Sequence, residues 1–128
     1  MARAVRPGGR VLVADMICDD DPAKADLHNR IERLCDPSHA RAGTLDEMIG
    51  MFAAAGLTIE KRAALDNSSY TLTEWLAHGA PPAEAEAEIR RLMESSVDHD
   101  RTGLRVRRGA DDLIFSHQGA VILATKAA

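Results

Sequence analysis

The sequence is short of cysteine, of long apolar runs and of excess positive charge. Its two cysteines, Cys18 and Cys35, in 128 residues cannot build the disulfide framework of a small secreted domain. The apolar run "VLVA" at 11–14 is far shorter than a signal core, and "AVILAT" near the end is strand-sized. Nothing approaches the ~20 apolar residues of a membrane span. These absences lead us to expect a reduced, cytoplasmic chain without a membrane partner. Sixteen Lys and Arg against twenty Asp and Glu give a net charge of -4, which argues against a nucleic-acid surface. "RTGLRVRRG" at 101–109 is the one basic cluster, and a short alternating Arg run reads as the solvated face of a strand. Gly-x-Gly occurs nowhere. Gly8-Gly9 is no substitute, because glycines that cradle a phosphate or nucleoside follow a strand and open a helix, whereas these precede a strand.

What is present fits one globular domain. The chain is 45% hydrophobic and 28% charged, and it is long enough to bury a core. Residues 1–6 suggest the last turns of a helix that Pro7 cannot continue and Gly8 or Gly9 can close. A strand over 10–16 follows, whose consecutive Val11, Leu12 and Val13 suggest cover on both faces. Asp21 is a natural N-cap with Pro22 at the first helical position. In the helix it opens, Leu27, Ile31 and Leu34 mark the apolar face and Asn29 and Glu32 the polar one. Asp36-Pro37 ends that helix.

"TLDEMIGMFAAAG" carries a capping box, Thr44 with Glu47, and stops at Gly56. A second strand is predicted over 57–65, followed by a loop in "DNSSY", a short helix capped by Thr73, and a longer one starting at Pro82 whose Ala-Glu alternation faces solvent. A strand over 104–108 and a longer one over 112–126, with Gly119 as a candidate bulge, complete the reading.

Four segments, "RPGGRVLVADM", "HNRIERLCDPSHAR", "TLDEMIGMFAAAGL" and "IFSHQGAVILATK", together resemble the carboxy-terminal half of class I S-adenosylmethionine-dependent methyltransferases. The likeness is to the small-molecule type that includes the ubiquinone and menaquinone biosynthesis enzymes. It implies an α/β, partial Rossmann-like methyltransferase fold: three or four strands of a mixed sheet with flanking helices, and the amino-terminal half absent. Residues 1–128 would form that half-domain, with 66–103 a helical insert before the last strands. The family's cofactor determinants are a Gly-rich loop after the first strand and acids after the second and third, and none can be placed here. S-adenosylmethionine therefore belongs to the complete family fold, and none is expected on this chain alone. Met1 falls inside what the resemblance makes the fourth helix, as in an isolated second half of an enzyme.

In open α/β sheets ligands lie outside the carboxyl ends of the strands, which brings Asp15 and Met16 toward a substrate; the plainer reading of Asp15 is a turn cap. His28, Asn29, Asp36, Ser38, His39 and Arg41, in the polar segment 28–41, are candidates to line the pocket of a small-molecule methyl acceptor. His39 is the candidate general base, since an imidazole near neutrality can take a proton from an attacking group; the plainer reading is a loop histidine with local hydrogen bonds. Cys18, His28, Cys35 and His39 could suggest zinc, but there is no Cys-x2-Cys knuckle and Pro37 breaks the helix between two of them, so no metal is assigned. His117 and Trp75 read as core or wall residues. Two function classes follow: the acceptor-binding half of a methyltransferase, or a non-catalytic dimerising remnant or interaction module. In either, an unpaired edge on the first strand leads us to expect a homo-oligomer.

Overall fold

The computed structural model describes the backbone of all 128 residues and every side chain except those of residues 66–68. It is an α/β fold with a single four-stranded sheet. A 3-10 turn, Ala2–Ala4, stands where the last turns of a helix are predicted. Gly8, at φ +74, then reverses the chain into β1 (Arg10–Ile17). The turn is tied to the far end of the chain: Gly8 donates to the Lys126 carbonyl, and Lys126 Nζ donates to the carbonyls of Ala2 and Val5.

Helix α1 (Pro22–Cys35) starts where Asp21 accepts the Ala23 amide, and α2 (Leu45–Ala54) carries the full Thr44/Glu47 capping box. Both caps satisfy amide groups that a helix start leaves without partners. Strand β2 (Leu57–Thr71) is longer than predicted. The loop expected in "DNSSY" is replaced by strand, because Ser69, Tyr70 and Thr71 pair with Ser116, Phe115 and Ile114; tertiary pairing overrides turn-like composition. Helix α3 (Leu72–Gly79) is therefore capped by Thr71 rather than Thr73, whose amide instead donates to Asp112. Pro82 is the N-cap of α4 (Ala83–Glu94).

The strand predicted over 104–108 shrinks to β3 (Arg107–Arg108), since Arg105 turns to φ +51 and Leu104 and Val106 bury in the core. Strand β4 (Leu113–Lys126) runs unbroken through Gly119. The irregularities fall on β2, between Ile59 and Lys61 and between Asp66 and Ser69.

The strand order is β1-β4-β2, with β3 added to β4, and every pairing is antiparallel. The mixed character expected of the sheet survives only in direction: β1 and β2 run the same way but never pair, because β4 lies between them. On one face Ile122, Ala124 and Ala120 meet Met48 and Phe52 of α2. Beyond it Phe115, Ile31, Leu76, Ile89 and Met93 join α1, α3 and α4 to the start of β4. The other face of β1 is bare: Leu12 is 67% exposed, so cover on both faces is not found in this chain.

The packing of α3 on α1 has one point of very close approach. A Cβ built on Gly79 would collide with Cys35 Sγ. Gly79→Ala should destabilise the chain by about 1–3 kcal/mol, as overpacking does. In a double-mutant cycle measured by urea unfolding, Cys35→Ala should relieve part of that cost.

Candidate functional site

The carboxyl end of β1, the 39–43 loop and α2 enclose a cavity of about 240 Å³ lined by Asp15, Met16, His39, Arg41, Met48 and Met51, among others. Two larger clefts of about 470 and 570 Å³ lie elsewhere, among ion-paired surface residues such as Arg108–Glu94 and Lys24–Asp100. The smaller cavity sits where open α/β sheets place ligands. It brings together four residues singled out in the sequence: Asp15, Met16, His39 and Arg41.

Asn29 holds this loop in place from beneath. It is buried, its Nδ2 donates to the carbonyls of Ala25 and Ala42, and its Oδ1 accepts the Ala42 amide at 2.6 Å. Those bonds fix the amide's orientation, so the His39 Nε2 found 2.9 Å from Oδ1 is the donor. In the neutral ring Nδ1 is then the basic nitrogen. Asn29 thus positions His39 and does not line the cavity. Arg41 forks onto the Glu47 carboxylate at 3.1 and 3.0 Å. The Arg41 hydrogen bond, with help from the Thr44 amide, holds that carboxyl below its ordinary value. Asp15 Oδ1 accepts the Met16 amide. Ser38 lies outside the cavity, its amide and hydroxyl both bonded to Asp36; the hydroxyl is the first cause that holds the Asp36 carboxyl low.

His28 is also outside the cavity, 1% exposed. With Glu32, one turn on, it faces His117 of β4. His117 Nε2 lies 2.6 Å from Glu32 Oε1, and His28 Nε2 lies 3.4 Å from the same oxygen. Burial pushes the Glu32 carboxyl up, but the hydrogen bond with His117 and the nearby His28 override it and hold the pKa at about 2. The rings of Phe115, Tyr70 and Trp75 pack around His117. His117 and Trp75 are thus wall residues of a polar cluster, not of the cavity. Glu32, taken from the sequence as part of an outward polar face, turns inward. The one signal for it was the i, i+4 spacing of His28 and Glu32. Cys18 and Cys35 are buried free thiols, and the quartet weighed for zinc does not assemble.

The residues do not fit the nucleoside cofactor that the resemblance implies. The connection after β1 is Cys18-Asp19-Asp20-Asp21, and the amino terminus of α1 is filled by its own Asp21 carboxylate. Gly8, with open space around it, sits at the opposite end of β1. No described residue supplies a glycine turn between a strand and a helix that starts there.

The chain has the fold of part of a methyltransferase. It superposes over 99% of its length on 60% of a provisionally named methyltransferase of Bacillus halodurans, with TM-score 0.87 and 19% identity, a likeness of fold alone. It likewise covers 55% of YcgJ of Bacillus subtilis, with TM-score 0.83 and 26% identity. In sequence it is 31% identical over 101 residues to YcgJ, named an uncharacterized methyltransferase, covering 79% of this chain and 40% of that one. It is 25% identical over 126 residues to the uncharacterized protein YafE of Escherichia coli, covering 98% of this chain and 59% of that one. The chain therefore spans only 40% and 59% of the length of these curated relatives. No family model matches it. The resemblance drawn from the sequence is borne out at the level of methyltransferase. Among the described residues no helix is long and apolar enough to cross a membrane.

Asn29→Ala would leave the buried Ala42 amide without a partner and free the 39–42 loop. Urea denaturation should show a loss of about 2 kcal/mol, the scale of an abandoned buried hydrogen bond.

Proposed function

We propose that this chain is the acceptor-binding half of an S-adenosylmethionine-dependent methyltransferase acting on a small molecule, inactive without the remainder of the fold. The observation that carries the reading is the match in extent: almost all of this chain superposes on little more than half of each methyltransferase-named structure. The cavity at the end of β1 would take the acceptor. His39, with Nε2–H donated to Asn29, would accept the acceptor's proton at Nδ1 as the nucleophile attacks. Arg41 and Asp15 would orient polar groups of the acceptor, and the thioether side chains of Met16, Met48 and Met51 would supply adaptable apolar walls.

The bonding of β1 favours a second element of the proposal. Its one paired edge faces β4, and its other edge is open beside Leu12. An open, apolar-flanked edge invites strand pairing with another chain. A homodimer through β1 is the arrangement we favour, and it is also what a non-catalytic dimerising remnant would form. The two buried free thiols suit a reducing compartment such as the cytoplasm.

Calorimetry with S-adenosylmethionine should show no stoichiometric micromolar binding to the isolated chain; tight one-to-one binding would overturn its assignment as a half-site. In an enzyme with the amino-terminal part restored, His39→Ala should lower turnover by about 100- to 10,000-fold with cofactor binding intact. An unchanged rate would remove His39 from the site. Light scattering at micromolar concentration should report a dimer, and a monomer would count against pairing through β1.

A further inference from the structure

We propose that His28, Glu32 and His117 form a site for one divalent transition-metal ion of the zinc type, with Nε2 of both imidazoles and a Glu32 carboxylate oxygen as ligands. The three donor atoms lie within 4.8 Å of one another. His28 and Glu32 are one helical turn apart and project from the same side of α1, while His117 comes from the facing strand β4. The site is thus assembled by regular elements and not by a loop, which favours a fixed geometry.

A second observation points to a missing partner. His28 Nε2 is buried and has no hydrogen-bond partner in the structure, although it lies 3.4 Å from Glu32 Oε1. A buried imidazole nitrogen left without a partner is costly. Glu32 Oε1 already bonds His117, so one carboxylate oxygen serves two imidazoles and satisfies only one in good geometry. An ion among the three would give each of the three groups a bond.

The donor set selects the ion. Two imidazoles and a carboxylate suit zinc and its neighbours, whereas calcium and magnesium prefer oxygen ligands throughout. Three protein ligands also leave a tetrahedral ion one further position. Binding must replace the His117–Glu32 hydrogen bond by two bonds to the ion, so the neutral His117 ring, as a ligand through Nε2, must carry its one proton on Nδ1. The site is separate from the 240 Å³ cavity, and the inference does not rest on the methyl-transfer reading.

The test uses chain stripped with a chelator and then titrated with zinc chloride by calorimetry and with cobalt(II) chloride by visible absorption. One ion per chain at micromolar affinity or better is expected, with the cobalt bands of a four- or five-coordinate nitrogen–oxygen site. Glu32→Gln and His117→Gln should each weaken binding by about 100-fold or more, since loss of even an outer-shell partner costs 10- to 100-fold. His99→Gln, at an exposed position, should leave affinity unchanged. Circular dichroism checks that each variant is folded. No zinc binding by the unaltered chain would overturn the proposal, and so would undiminished binding in a folded Glu32 or His117 variant. Should neither variant fold, the cobalt spectrum of the unaltered chain still decides: thiolate charge-transfer bands would place the ion on Cys18 or Cys35 and overturn it.

Discussion

A helix that buries Asn29 and Glu32 must find a partner for each, since a polar group taken out of water without one is costly. Much of the arrangement of this chain follows from that demand. Asn29 closes the loop that leads to α2, and Glu32 reaches across to β4. Had these positions been apolar, α1 could still cover the sheet, but the 39–42 loop and His117 would lose the hydrogen bonds that tie them to α1. The polar side chains set specificity, and the apolar residues beside them, Ile31 and Cys35, supply the burial.

The two polar centres are chemically different. Around His39 the bonding is open: one ring nitrogen is tied to Asn29 and the ring borders a cavity. Around Glu32 it is closed, with the carboxylate shielded by two imidazoles and His117 further enclosed by Phe115, Trp75 and Tyr70. The first can exchange protons with a bound molecule, and the second can hold charge without exposing it. An acid kept at about 2 stays ionised throughout the physiological range and gives α1 a fixed negative charge in its interior face.

Local signals were legible in the sequence. Asp21-Pro22, the Thr44/Glu47 box and the Gly8 turn are decided by neighbours a few residues away, and each appears in the structure. Asp15, Met16, His39 and Arg41 could be gathered because they flank one strand end and one short loop. What lay beyond reading was set by distant partners. The extension of β2 through Ser69 depends on β4, which overrules a composition typical of turns. Glu32 meets His117 across 85 positions, a separation that no spacing rule reports. Periodicity assigns polar residues outward by default, so the inward turn of Asn29 and Glu32 ran against the pattern, and only the i, i+4 spacing of His28 and Glu32 hinted at it. The edge position of β1 was legible only through the resemblance, which assigns its second neighbour to the absent half; three consecutive apolar residues look alike whether or not a helix covers their second face.

The register of the sheet also dictates an order of events during folding. Arg10 pairs with Thr125 and Ile17 with Gln118, so within this sheet β1 is hydrogen-bonded only by β4, the strand farthest from it in chain order. Strand β2 waits for the same partner. Helices α1 and α2 can form from local contacts, but β1 and β2 cannot join one sheet until β4 is present to pair with both. Contacts of such long sequence separation make folding slow relative to helical domains of this size. Removal of Thr125 and Lys126 would take away the start of both ladders at once, since these two residues pair with Arg10 on one side and with Thr58 and Leu57 on the other.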